Sequence, residues 1–217
     1  FNSAGDPVHY VRNPAGTTRD TQGRLVNAIT ALDRHRNRII NDPETATRIA
    51  AYEMAFRMQA SVPELMDVSK EPKHILDMYG AKPGDGSYAS NCLLARRLAE
   101  RGVRFIQLFH RGWDHHSILQ KQLPGQCYDV DQASAALILD LKQRGLLDDT
   151  LIVFACEFGR TVYGQGKLAR NNYGRDHHPR CFSGWLAGGG IQGGISHGKT
   201  DDFSYNVDEN PVHIRDL

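Results

Sequence analysis

The sequence has no long apolar run: its longest, such as Leu151 to Cys156, covers about six residues, against the roughly 20 that a helix needs to cross a bilayer. That excludes a membrane span of the helical kind. It has almost no excess charge, with 26 Lys+Arg against 25 Asp+Glu and a net charge of +1, so nothing global draws the chain to nucleic acid or to an anionic membrane. Cysteines are few, at 92, 127, 156 and 181. They show neither CxxC spacing nor the density of a disulfide-stapled scaffold, and Cys92 and Cys156 sit in apolar stretches, which predicts buried thiols. The glycine-rich run Gly188 to Gly194 lacks the following helix pattern and the Lys-Ser/Thr of a phosphate loop, and reads as a tight turn between short strands.

What is present fits one large domain in 217 residues, preceded by a polar segment. Residues 1–42 are rich in Arg, Asn and Asp, with a helical stretch from Leu25 to Ile40, and form a peripheral extension to a domain over 43–217. Asp42-Pro43-Glu44 marks a helix start, with a break expected at Ser61-Val62-Pro63. Tyr88 to Glu100 is helical by spacing, is closed by Gly102, and feeds the apolar run Val103 to Phe109. The unit recurs: Val130 to Arg144 is helical, Gly145 ends it, and Thr150 to Cys156 is β-branched and apolar. Helix then buried strand, twice, predicts an α/β fold with a mostly parallel sheet flanked by helices. From Gly159 on the chain reads as loop, apart from a short strand at Phe182 to Ala187.

The chemistry concentrates in histidine. Seven of the ten histidines lie in the second half, four of them in two triplets, Asp114-His115-His116 and Asp176-His177-His178. The first follows the apolar run ending at Phe109, and Glu157 follows the other, at strand ends where open α/β sheets place their ligands. Carboxylates and imidazoles gathered this way make a ligand set for a divalent metal: zinc or manganese with histidine present, magnesium or calcium where carboxylates dominate. The candidate ligands are Asp114, His116, Glu157, Asp176, His177 and His178. Arg160 offers a guanidinium to a sulfate or phosphate group, and pairing with Glu157 or Asp114 is its alternative. No Gly-x-Ser-x-Gly elbow occurs, so no nucleophile is legible.

Tyr128 to Arg160, which reads YDVDQASAALILDLKQRGLLDDTLIVFACEFGR, resembles the helix, strand and metal-ligand turn of the alkaline phosphatase superfamily, which includes sulfatases and cofactor-independent phosphoglycerate mutases. The sulfatase Cys-x-Pro-x-Arg signature is absent. The superfamily's turn reads Ser-Asp-His-Gly or Ser-Asp-Asn-Gly; here Cys156-Glu157-Phe158-Gly159 puts Glu157 at the Asp position and Phe158, which cannot bind metal, at the next. The set Gly112-Trp113-Asp114-His115-His116, Glu157 to Thr161, Gly174 to His178 and Gly188 to Gly194 is similar to a sulfatase-like bacterial family of the planctomycete type, from about residue 43 onward.

The resemblance implies an alkaline phosphatase-like fold and a metal-dependent hydrolase of sulfate or phosphate esters, small molecules or glycans. Asp114 and His116 would bind one metal, Glu157 the second, and Asp176 with His177 or His178 would take the late histidine position. Arg160 and His115 are the candidate substrate contacts. Family members are about twice as long and commonly carry a twin-arginine export signal, which implies a periplasmic or secreted parent, with this chain a fragment whose nucleophile lies elsewhere. Two other readings stay open: a non-catalytic secreted module that holds metal or glycan, and phosphomutase chemistry.

Overall fold

The computed structural model describes residues 11–216, less the side chain at position 167; the first ten residues of the expected peripheral segment, and Leu217, lie outside them. The chain forms two compact units, one of residues 1–72 with 82–86 and one of residues 73–81 with 87–217.

The first unit is a helix pair, α1 (Arg19–Ile40) and α2 (Pro43–Met66), followed by a 3-10 turn at Val68–Lys70. Thr18 caps α1 by accepting from the Thr21 backbone N–H, and Asn41 ends it in the left-handed conformation, φ 55°. Asp42 then caps α2 with Pro43 in its first turn, as the Asp-Pro-Glu signal predicts. The expected break at Ser61 to Pro63 does not occur, because α2 continues through Pro63 to Met66. The helices meet where Gly23 faces the Phe56 ring, and the Arg19 guanidinium lies 5.4 Å from that ring's centre.

In the second unit, α3 (Lys73–Tyr79), α4 (Tyr88–Glu100) and α5 (Leu119–Gln143) pack together. Ser87 caps α4 by accepting from the Ser90 N–H at 3.1 Å. The core comprises Tyr79, Cys92, Leu93, Ala133, Ala136 and Leu141. A charged ring lies among them: the Tyr79 hydroxyl donates to Asp140 (3.1 Å), Arg144 bridges Asp140 (2.7 Å) and Glu100 (2.6 Å), and Arg96 approaches Glu100 (2.8 Å) and Asp140 (2.9 Å). Helix α5 starts eleven residues earlier than the Val130 expected from spacing.

The mostly parallel sheet flanked by helices is not there. The described strands form three two-stranded antiparallel sheets: β1 (Ile152–Phe154) with β4 (Trp185–Ala187), β2 (Gly159–Ala169) with β3 (Asn172–His178), and β5 (Lys199–Thr200) with β6 (Val207–Glu209). The alkaline phosphatase-like sheet fails at Val103 to Phe109. That segment joins no ladder, and Phe105 and Phe109 are 89% and 79% exposed. A parallel sheet needs two such strands side by side, joined by a crossover. Without the first, β1 takes its partner from a later segment, antiparallel. The stretch after Gly159, expected as loop, is instead the longest hairpin described.

Candidate metal centre

The β2–β3 hairpin builds the site. Its register sets Arg160 opposite His177 and Gly159 opposite His178. Against β3 lies the segment carrying the first triplet, tied by the Arg175 N–H donating to the His115 carbonyl at 3.0 Å. This approach needs glycine: a Cβ at Gly174 would stand 2.0 Å from the His116 carbonyl carbon. Gly159 does the same on the other side, where a Cβ would stand 2.0 Å from the Cys181 carbonyl oxygen.

Three side chains converge as a result. Asp114 Oδ1 lies 2.8 Å from His116 Nε2 and 2.9 Å from His177 Nε2, and the two imidazole nitrogens are 3.1 Å apart. The imidazoles stack at 5.0 Å with 13° between planes, and Phe158 packs on His177 at 5.0 Å. His116 Nδ1 is bonded to the Gln165 side-chain oxygen. As that oxygen only accepts, Nδ1 is the donor, and in the neutral ring this leaves the Nε2 lone pair for the cluster. The His177 ring can donate to the Asp114 carboxylate at 2.9 Å, and a positive charge among the three atoms would favour their close approach further.

Arg160 supplies one such charge, with Nη1 2.8 Å from the same Asp114 oxygen and Nη2 3.9 Å from Glu157. Nη1 is shielded from solvent and has no well-directed hydrogen bond among the described residues, so the contact is one of charge, off the N–H line. Arg160, then His177, hold the Asp114 carboxyl below the usual carboxylate range, which keeps it ionised. His115 is buried, and desolvation first, then Arg160, pushes its imidazole down from 6.5, so it stays neutral.

The donor set suits a divalent ion. Ligand atoms bound tetrahedrally to zinc at about 2.0–2.1 Å stand about 3.3 Å apart, so these three need to spread by only a few tenths of an ångström. Among the described residues, Asp114, His116 and His177 form the one group of at least three acidic, histidine or cysteine side chains close enough to share an ion.

Other expected site residues stand outside that group. Glu157 is 63% exposed and, among the described residues, reaches only Arg160. The Asp176 carboxylate accepts from the His177 N–H at 2.8 Å. His178 is buried, bonded to the Tyr205 carbonyl and stacked on the Tyr205 ring at 4.3 Å. His115 meets β3 through its backbone carbonyl. Gln165 was invisible to the sequence reading, since only the hairpin brings it to His116.

A family profile described as "Protein of unknown function (DUF1501)" matches residues 1–217. The chain belongs to that family. No curated protein and no solved structure matches it. Within this DUF1501 domain the described helices include none long and apolar enough to cross a membrane.

Proposed function

We propose that Asp114, His116 and His177 hold one divalent cation, zinc or manganese by donor chemistry, and that the chain works as a metal-dependent hydrolase of sulfate or phosphate esters. The observation that carries this reading is the meeting of two imidazole nitrogens and the Arg160 guanidinium on one carboxylate oxygen of Asp114. A bound ion would supply Lewis-acid polarisation of an ester oxygen. Asp114 and the two imidazoles position it, with Gln165 fixing the His116 tautomer. Arg160, drawn from Asp114, presents its planar fork to the remaining anionic oxygens. The resemblance to sulfatase-like proteins points to the same ester class.

A second reading is favoured by Thr161. This neighbouring hydroxyl is buried, donates to the Tyr163 carbonyl at 3.1 Å and accepts from the Asp176 N–H at 3.1 Å, so it is not a free nucleophile. A metal- and anion-binding module without turnover would have this arrangement. The test is hydrolysis of p-nitrophenyl sulfate and p-nitrophenyl phosphate by protein loaded with zinc or manganese. The hydrolase reading expects turnover abolished by chelator and in Asp114→Ala and His177→Ala, with a raised KM in Arg160→Ala. No turnover of either ester, with metal-dependent binding of inorganic sulfate or phosphate, would replace it by the binding module.

A further inference from the structure

In the second unit, away from the metal ligands, lies a cavity of about 260 Å³ between the ends of α3, α4 and the middle of α5. Tyr79, Tyr88 and Tyr128 supply its aromatic surface, and His110, Asp129 and Gln132 its polar groups. It is smaller than the ~300–1,000 Å³ clefts of drug-sized ligands, and so takes one ring-sized group.

Its polar groups have fixed roles. The Trp113 indole N–H donates to His110 Nδ1 at 2.9 Å, which leaves the His110 proton on Nε2. That N–H faces Asp129 Oδ2 at 3.6 Å, too far for a hydrogen bond, so donor and acceptor stand side by side with their bonds unmade. Gln132 spends its amide nitrogen on the Asp77 and Met78 carbonyls at 3.0 and 3.1 Å, leaving its oxygen as an acceptor beside Gly80. The Tyr79 hydroxyl is held inward by Asp140, so that side chain offers only its ring. Tyr88 meets the His110 ring edge-on at 5.3 Å and 81°, and Tyr128 stands 81% exposed at the mouth.

No Lys or Arg lines the cavity, which argues against an anionic group. The His110 Nε2 hydrogen offers a cation nothing. A neutral ring with adjacent hydroxyls satisfies both sides: one hydroxyl accepts from His110, its neighbour donates to Asp129, and the apolar ring face packs on tyrosine. We infer that this cavity is a monosaccharide-binding subsite, with His110 and Asp129 reading vicinal hydroxyls and Tyr128 closing over the ring. It does not depend on a metal at Asp114, though His110 and Asp114 share one short segment.

The test is ligand-observed saturation-transfer NMR on the full chain in chelator, using methyl glycosides of glucose, galactose, mannose and N-acetylglucosamine as probes. At least one should bind with a dissociation constant of about 1 mM, the scale expected for so small a ligand. Tyr128→Ala and Asp129→Ala, both at solvent-exposed positions and checked for folding by circular dichroism, should each weaken it about tenfold. Absence of transfer to all four glycosides, transfer undiminished in both variants, or binding of tetramethylammonium in their place would overturn the inference. Because chelator is present throughout, its failure is distinct from failure of the metal reading.

Discussion

Replacing Asp140 by alanine strikes the charged ring that joins α3, α4 and α5. The ring holds two carboxylates, Asp140 and Glu100, against two guanidiniums, Arg96 and Arg144, and is neutral. Asp140 is 1% exposed and Arg96 2%, so the substitution leaves a buried positive charge facing one carboxylate. It also strips the Tyr79 hydroxyl of its acceptor and Arg144 of its 2.7 Å contact. Breaking a buried pair from one side costs about 3–5 kcal/mol; alanine's better helix propensity returns about 0.5 kcal/mol. Asp140→Asn keeps the shape and an acceptor, and should cost about 1–3 kcal/mol. Both tryptophans, Trp113 and Trp185, lie in the second unit, so tryptophan fluorescence during urea unfolding reports that unit alone. At a slope of about 2 kcal/mol per molar urea, the alanine variant's midpoint falls by more than about 1 M. A loss under about 1 kcal/mol for Asp140→Ala would refute the view that this ring ties the helices together.

Four further outcomes follow from the same structure. Burial and Asp140 raise the Tyr79 phenol above its ordinary value of 10.0; the folded state then holds a proton that the unfolded state releases, so this stabilisation is complete below pH 10 and declines above it, and urea titrations of Tyr79→Phe should show a shallower alkaline loss. Burial pushes the Cys92 thiol up to about 12 whereas Cys156 is exposed; mass spectrometry after brief iodoacetamide treatment at neutral pH should find Cys156 modified and Cys92 untouched until denaturant is added. Phe105→Ala should change stability by no more than about 0.5 kcal/mol in the same urea assay, where a buried strand residue would cost about 3–5 kcal/mol. Gln165→Ala should weaken zinc affinity about 10–100-fold, the usual effect of removing a partner that orients a ligating histidine, as read by competition with a chromophoric chelator.

Helix α4, the end of α5 and the cap at Asp42 were legible because each depends on local chemistry: apolar spacing, a capping oxygen, a closing glycine. The parallel sheet was not, because the apolar run Val103 to Phe109 looks like a buried strand, and only the absence of a pairing partner shows otherwise. Cys156, expected buried in its apolar run, is exposed for the same reason, since β1 has one partner strand. In the site, Asp114, His116 and His177 were all named, but so were Asp176 and His178. Strand geometry separates them. Successive residues of a strand face opposite sides, so with His177 directed at Asp114, its two neighbours turn away, and His178 goes to Tyr205. The sequence hid that strand, because Arg160, Thr161, Gln165 and the glycines at 159, 164 and 166 break the apolar alternation that would announce a hairpin.

We propose that three side chains, and not the whole acidic and histidine-rich set, hold one metal ion. Elemental analysis with titration calorimetry of zinc and manganese, on the wild type and on Asp114→Ala, His116→Ala, His177→Ala, Glu157→Ala and Asp176→Ala, tests it most directly. The account predicts one equivalent of metal in the wild type, Glu157→Ala and Asp176→Ala, and its loss in each of the other three variants. No bound metal in the wild type after reconstitution, or loss with Glu157→Ala or Asp176→Ala equal to that with Asp114→Ala, would contradict it.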